Sequence, residues 1–142
     1  MGMGEPLDNY DAVLQAIRGM ADPARFCIAA SRISVSTVGV VPRMLQLSQD
    51  APEIGLALSL HAPNQDLRVR IVPTAKAWHI SRIVDAMDIF INRQSVLTLN
   101  RNRKRHILVE YVLISGVNDT VSLVIIYLIL SDTIIRLQSP AN

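Results

Sequence analysis

The chain has 142 residues, half of them hydrophobic, which is enough for one domain with a buried core. Fourteen Lys and Arg against twelve Asp and Glu give a formal charge of only +2, so overall charge does not require a nucleic-acid or membrane partner. Cys27 is the only cysteine, which excludes a disulfide framework and any metal or iron–sulfur site built from several thiolates of this chain.

The first segment, Met1-Gly2-Met3-Gly4-Glu5-Pro6, predicts a turn in which a carboxylate lies between a flexible glycine and a stiffening proline. Such a carboxylate can hold the amino group of a small ligand close to the backbone. Taken alone, the Gly-Glu-Pro sequence predicts a turn and nothing more. Its significance depends on the later strand ends. No signal-peptide or transit-peptide pattern is visible in this segment.

An amphipathic helix is predicted from about residue 10 to residue 20. Four apolar residues with helical spacing would form its buried face: Tyr10, Val13, Leu14 and Ile17. Asp8 or Asn9 would cap this helix, and Pro23 would follow its end. A short helix is predicted from Pro42 to about Gln49. A helical turn is predicted over residues 65–72, and a longer helix follows, with five residues on its apolar face: Ile80, Ile83, Val84, Met87 and Ile91.

Three segments are predicted to be β-strands. Arg32–Val38 alternates at a period of two, and Gly39 ends it. Ile54–Leu60 is apolar nearly throughout, as expected for a strand covered on both faces. Ile107–Leu113 is rich in β-branched and aromatic residues. Strands that alternate with helices indicate a parallel sheet, and a fourth strand would end at Met1–Met3. Four strands are too few for a closed eight-stranded barrel, so an open sheet or a piece of one is predicted.

Polar residues lie at the carboxyl ends of all four strands: Glu5, Ser36 with Thr37, Ser59 with His61, and Asn118 with Asp119. In α/β sheets and barrels these ends carry the reactive groups, so a shared small-ligand site is predicted. Each residue also has a purely structural interpretation. Ser36 could be an exposed strand residue, Asn118-Asp119 a turn and His61 a structural histidine. Their coincidence at successive strand ends favours the shared site.

Two further segments have an unusual composition. A basic run that could contact phosphate, or form a solvated loop, precedes His106: Arg101, Arg103, Lys104 and Arg105. In the tail, Val121–Leu130 is apolar except for Ser122, but it has only about half of the roughly 20 residues that span a bilayer. A buried helix is therefore favoured over a membrane anchor.

Four strings of residues closely resemble one known family: GMGEPLDN at 2–9, RISVSTVGVVP at 32–42, LALSLHAPNQDLRVRIVP at 56–73 and VEYVLISGVND at 109–119. The family is the radical-SAM RNA adenine-C2 methyltransferases of the RlmN/Cfr type. The resemblance implies an α/β fragment of a partial (β/α) barrel with parallel strands. Residues 1–119 would be the central part of the barrel domain, and residues 120–142 a divergent apolar tail.

The resemblance also implies a function. The family uses S-adenosylmethionine and a [4Fe–4S] cluster to methylate C2 of an adenosine in large-subunit ribosomal RNA, and in some members also in transfer RNA. Six positions would contact S-adenosylmethionine: Gly4, Glu5, Ser36, Ser59, Leu60 and His61. Of these, Gly4 and Glu5 would hold the amino end of its methionine moiety. Glu110 and Asn118 match family positions without an assigned role.

The family's catalytic cysteines are absent from this chain. Three cluster ligands in a C-x-x-x-C-x-x-C motif and two further cysteines would be expected, and Cys27 matches none of them; it is interpreted as a small apolar residue. The chain alone is therefore predicted to be inactive. RNA would be the partner of the complete protein, through the basic run, in the cytoplasm or in an organelle if a transit peptide precedes. The alternative is a non-catalytic ligand-binding or interaction fragment, which unpaired sheet edges would favour.

Overall fold

The structure is a computed structural model that describes residues 4–97 and 107–123, apart from the side chains of residues 95–97. The described residues include three strands: β1 (Ser34–Thr37), β2 (Gly55–Ser59) and β3 (Leu108–Glu110). They also include four α-helices: α1 (Tyr10–Ala21), α2 (Val41–Asp50), α3 (Gln65–Ile71) and α4 (Ile80–Leu97). The strands are parallel, in the order β1-β2-β3. The predicted α/β fold with a parallel sheet is confirmed.

Strand β2 is the central strand of this sheet. Its residues from Leu56 to Ser59 are all buried, which confirms that the apolar run is covered on both faces. Strand β1 keeps the predicted alternation, with Val35 and Thr37 buried and Ser34 exposed. The parallel register places the carboxyl ends of β1 and β2 side by side, with Thr37 opposite Leu58. Polar residues at these two ends are thereby brought together.

Strand β3 is shorter than predicted, because it ends at Glu110 instead of continuing to Leu113. The reason is local hydrogen bonding. Beyond the strand, the amide of Ile114 and the carbonyl of Val112 bind the Asn118 side chain and not a neighbouring strand. The segment therefore leaves the sheet, and Leu113 is 65% exposed.

The predicted helices are confirmed, but the predicted cap of α1 is wrong. Asn9 stands at the N-cap position without a side-chain hydrogen bond, and Asp8 lies in a 3₁₀ turn, Pro6–Asn9, that precedes the helix. Glu5 caps this turn by accepting a hydrogen bond from the amide of Leu7 at 3.1 Å. Helix α2 begins with Pro42 in its first turn, as predicted.

The hydrophobic core is a cluster of buried side chains from α1, α2, α4 and the sheet. In α4, Ile83, Met87 and Ile91 are buried as predicted, together with Phe90. Gly39 connects β1 to α2 with a φ of +102°, and a Cβ there would lie 2.6 Å from Cδ1 of Ile83. The turn after β1 therefore requires glycine on both conformational and steric grounds.

Ion pairs contribute little to this fold. Within residues 4–97 and 107–123, the ion pair that we observe is Arg25 with Asp22, at 3.6 Å on the surface. The nearby Cys27 is exposed with a φ of +52°, so its interpretation as a small apolar residue is wrong. Strain in the loop, and not burial, distinguishes that position.

Several predictions concern residues outside the described ranges. They are the strand end at Met1–Met3, the basic run at residues 101–105 and most of the apolar tail. Among the described residues, no helix is both long enough and apolar enough to cross a membrane.

Candidate ligand-binding site

A cavity of about 670 Å³ lies between α1 and β1 and extends to the end of β2. Its volume is within the range of small-molecule pockets. One side is apolar and includes Val13, Ile17 and Met20 of α1. The polar residues at its other side include four that were predicted from the sequence: Glu5, Ser36, Ser59 and His61. The structure thus brings polar residues from the ends of β1 and β2, together with Glu5, to one cavity.

Glu5 lines the cavity and is hydrogen-bonded to the end of β1. One carboxylate oxygen accepts the Leu7 amide, and the other accepts the Val38 amide at 2.8 Å. Each carboxylate oxygen has a second lone pair, so Glu5 can also accept a hydrogen bond from a ligand. Gly4 lines the cavity beside it, and a Cβ at Gly4 would meet no atom within 4 Å. The glycine is therefore not required by the packing of the protein itself.

Ser36 and Ser59 form a polar group with Glu110 of β3. Their hydroxyl oxygens are 3.4 Å apart, and they donate to the same Glu110 carboxylate oxygen at 3.1 and 3.2 Å. The parallel register causes this meeting, since it pairs Ser59 with Glu110. A half-buried carboxylate thereby orients two hydroxyls at the cavity. Its position at the end of an otherwise apolar strand was the signal in the sequence that could have indicated this role.

Leu60, unlike the other predicted contact residues, does not line the cavity. Its side chain is buried. Its amide donates to the Glu110 carbonyl at 3.0 Å, and its carbonyl accepts from Nε of Arg68 at 3.2 Å. A ligand contact by the Leu60 backbone would have to share one of these bonded groups.

His61 lines the cavity in a left-handed backbone conformation, with a φ of +60°. Its ring Nδ1 accepts the Val112 amide at 3.2 Å, and its carbonyl accepts from the Asn118 side chain at 2.8 Å. Burial lowers the pKa of His61, the Arg68 charge lowers it further, and the Glu110 carboxylate partly opposes them. The imidazole is therefore biased toward its neutral form.

Arg68 was not predicted from the sequence, and the structure buries it completely. Besides Leu60, it binds the carbonyl of Val38, so it connects the ends of β1 and β2. Its Nη1 is buried without a hydrogen-bond partner in the described part of the chain. Burial lowers the pKa of Arg68. An arginine in a short helix is normally exposed, so nothing in the local sequence pattern indicated this position.

Asn118 and Asp119 do not line the cavity. Asn118 is fully buried, and its amide nitrogen donates to the carbonyls of His61 and Val112 while its oxygen accepts the Ile114 amide. Asp119 is exposed and accepts the amide of Gly116. The predicted shared site therefore includes Asn118 only indirectly, through the backbone of His61.

Comparison with known proteins relates this arrangement to a family, although no family model matches the chain. The chain is 42% identical over 119 residues to the probable dual-specificity RNA methyltransferase RlmN 2 of Protochlamydia amoebophila, which covers 84% of this chain and 31% of that protein. It is 38% identical over 120 residues to the dual-specificity RNA methyltransferase RlmN of Psychrobacter arcticus, covering 84% and 28%. The chain is related to the RlmN-type RNA methyltransferases. It spans about a third of the length of these RlmN relatives.

A solved structure supports the RlmN relationship at the level of the fold. The crystal structure of a radical SAM methyltransferase from Sphaerobacter thermophilus superposes with a TM-score of 0.76 at 34% identity. The superposition covers 99% of this chain and 36% of that one. The predicted relationship to RlmN-type RNA methyltransferases and the predicted α/β fold are both confirmed.

The two cofactors implied by the RlmN relationship fit this chain unequally. S-Adenosylmethionine fits the donor and acceptor groups around the cavity, since Glu5 offers a carboxylate to an ammonium group. An iron–sulfur cluster does not fit, because Cys27 is the only thiol of the chain. Within the described residues, no group of three His, Cys, Asp or Glu side chains could hold a metal ion.

Proposed function

We propose that the complete protein to which these residues belong transfers a methyl group from S-adenosylmethionine to C2 of an adenosine in RNA. Large-subunit ribosomal RNA is the first substrate class, and transfer RNA the second. One observation carries the proposal: in a chain related to RlmN, five of the six expected cofactor contacts line one cavity, namely Gly4, Glu5, Ser36, Ser59 and His61.

The residues of the cavity would bind and orient S-adenosylmethionine. Glu5 would accept hydrogen bonds from the ammonium group of its methionine moiety. Gly4 has no side chain, so the ligand could approach the backbone closely beside Glu5. Ser36 and Ser59, which donate their hydroxyl protons to Glu110, would accept hydrogen bonds from ribose hydroxyls of the ligand. The ligand supplies the methyl group when it is bound. Leu60 would contribute through its backbone, and His61 through its ring.

The 142-residue chain by itself is proposed to bind the ligand without catalysing the reaction. The cluster ligands and the two cysteines expected for methyl transfer are not among its residues. Its own side chains therefore account only for recognition of S-adenosylmethionine. Residues 1–119 as the methyltransferase-related part, with residues 120–142 as a divergent tail, stay a prediction, as does a cytoplasmic or organellar location.

Calorimetric titration of the chain with S-adenosylmethionine tests the proposed site. The Glu5→Gln variant removes the counter-charge of the ammonium group, and we expect binding to weaken by about tenfold to a hundredfold. Glu53→Gln is the matched control, because Glu53 is exposed and does not line the cavity. Equal affinities of the Glu5→Gln variant and the unmodified chain would contradict the assignment, provided that both are folded.

RNA is proposed as the macromolecular partner, with the basic run as the candidate contact: Arg101, Arg103, Lys104 and Arg105. Cationic side chains that neutralise phosphates position an RNA without reading its sequence. The RNA methyltransferase names of the relatives support this partner. The complete protein should therefore bind RNA more weakly as the salt concentration rises.

A non-catalytic interaction function is the second candidate, and one observation favours it. Apolar side chains at and beyond β3 are exposed in the described part of the chain: Leu108, Val112, Leu113, Ile114 and Val117. An exposed apolar strip beside a sheet edge favours association. Light scattering after size-exclusion chromatography separates the two candidates. A monomer that binds S-adenosylmethionine supports the ligand-binding part, whereas defined association without such binding supports the interaction function.

A further inference from the structure

His61 has an unfavourable backbone conformation that the surrounding structure maintains. Its φ of +60° is uncommon for a residue with a side chain and costs about 1–3 kcal/mol. Two side chains compensate by holding consecutive carbonyls. Nε of Arg68 donates to the Leu60 carbonyl at 3.2 Å, and Asn118 donates to the His61 carbonyl at 2.8 Å. The amides of residues 60 and 61 both donate to the Glu110 carbonyl.

The hydrogen bond to the His61 ring identifies its tautomer. The Val112 amide lies 3.2 Å from Nδ1 and can only donate, so Nδ1 must be the unprotonated nitrogen. A neutral His61 therefore carries its proton on Nε2. Since His61 lines the cavity, its ring can offer an N–H donor to a ligand oxygen there.

Arg68 opposes the addition of a second proton to this ring. The Arg68 side chain is completely buried. In the described part of the chain it forms no ion pair, since the observed pair is Arg25–Asp22, so no carboxylate there neutralises its charge. A buried charge is poorly screened, which strengthens its effect on a neighbouring imidazole. The other charges that act on His61 are the Glu110 carboxylate, which favours protonation, and the amino-terminal charge, which has the smallest effect and disfavours it.

We propose that Arg68 is a positioning residue that holds His61 in its left-handed conformation as a neutral donor, with the proton on Nε2, toward an oxygen acceptor of the ligand. The acceptor is a carboxylate or a ribose hydroxyl oxygen. This deepens the proposed function and rests on it for the identity of the ligand. The tautomer and the role of Arg68 can be measured without any ligand.

Long-range ¹H–¹⁵N NMR of the ¹⁵N-labelled chain tests the proposal. The spectra distinguish protonated from unprotonated ring nitrogens, and His61 is assigned by comparison with His61→Gln. We expect Nε2 to carry the proton in the unmodified chain. In Arg68→Met the titration of His61 should move to higher pH, whereas Arg68→Lys, which retains the charge, should restore most of the original titration. Arg70→Met is the matched control, because Arg70 is exposed on the same helix.

Binding of S-adenosylmethionine by Arg68→Met should weaken by about fivefold to tenfold, the value of one neutral hydrogen bond. Parallel titrations with 5′-methylthioadenosine, which lacks the amino-acid part, distinguish the acceptors. The same loss indicates a ribose oxygen, and no loss indicates the carboxylate. Protonation of His61 on Nδ1, or an unchanged His61 titration in folded Arg68→Met, would overturn the proposal. If Arg68→Met does not fold, the tautomer of the unmodified chain and the Arg68→Lys titration decide. Failure of S-adenosylmethionine to bind would refute the proposed function but not the tautomer.

Discussion

Replacement of Asn118 gives the sharpest test of how the cavity is supported from outside its lining. The side chain is fully buried and makes three hydrogen bonds, to the carbonyls of His61 and Val112 and from the amide of Ile114. Asn118→Ala removes all three. At about 1 kcal/mol for each bond, and with partial replacement by water because Val112 and Ile114 are exposed, we expect a loss of about 2–4 kcal/mol.

Asn118→Asp distinguishes lost donors from a lost side chain. The aspartate keeps an acceptor for the Ile114 amide, but an ionised carboxylate cannot donate to the His61 and Val112 carbonyls and repels them. The folded state therefore favours the protonated carboxyl, which raises its pKa on folding. The destabilisation relative to the unmodified chain should consequently decrease as pH falls from 7 to about 4.5.

Urea unfolding monitored by circular dichroism measures both effects. Asp119→Ala is the control, since Asp119 is exposed and its loss removes one surface hydrogen bond, at a cost of less than about 1 kcal/mol. Equal destabilisation by Asn118→Ala and Asp119→Ala would refute the role assigned to Asn118. If the loss of stability in Asn118→Asp does not depend on pH, the loss does not arise from the missing donors to the His61 and Val112 carbonyls.

Three further predictions use different properties of the chain. Gly39→Ala should lower the free energy of unfolding in urea by about 2–4 kcal/mol, because it adds a side chain at positive φ and overlaps Ile83. Gly116→Ala also has positive φ but open space around it, so its loss of stability should be clearly smaller. Equal losses would exclude a contribution from the overlap. Folding lowers the pKa of His61 below 6.5, so the unfolded state binds more protons. The free energy of unfolding should therefore rise with pH between the pKa of the folded state and that of the unfolded state. This rise should be smaller in His61→Gln, and an identical profile would contradict it. In the complete protein, replacing Arg101 and Arg103 by Ala should reduce the salt dependence of RNA binding by about 0.7–0.9 for each lost phosphate contact, and an unchanged slope would exclude that contact.

Elements with strong local patterns could be predicted from the sequence. The alternation in β1, the apolar run of β2 and the helical spacing in α1 each gave the right element, because burial on one or two faces determines those patterns. The predictions failed where a nearby polar side chain supplied the hydrogen bonds. Asn118 binds the Ile114 amide, so β3 ends early, and Glu5 caps the 3₁₀ turn that precedes α1. Such partners cannot be deduced from local periodicity.

In the candidate site too, some residues could be predicted from the sequence pattern and others could not. Strand ends located Glu5, Ser36, Ser59 and His61, since parallel strands place their carboxyl ends at one edge. Glu110 and Arg68 act behind that edge. The partners of Glu110 depend on the register of β2 with β3, so its place at the end of an apolar strand indicates a polar site but not which residues it binds. The role of Arg68 depends on its burial in α3, which the local sequence pattern does not indicate.

The scarcity of ion pairs has a practical consequence. In residues 4–97 and 107–123 the observed ion pair, Arg25–Asp22, is exposed. Hydrophobic packing and hydrogen bonds therefore carry the fold, including those that Glu5 and the buried Arg68 make with the backbone. Sodium chloride at moderate concentration screens exposed charges but affects those contributions little. Ionic strength can therefore be varied to adjust affinity for a polyanion while the folded population stays constant. Any loss of RNA binding at higher salt can then be attributed to the binding surface and not to unfolding.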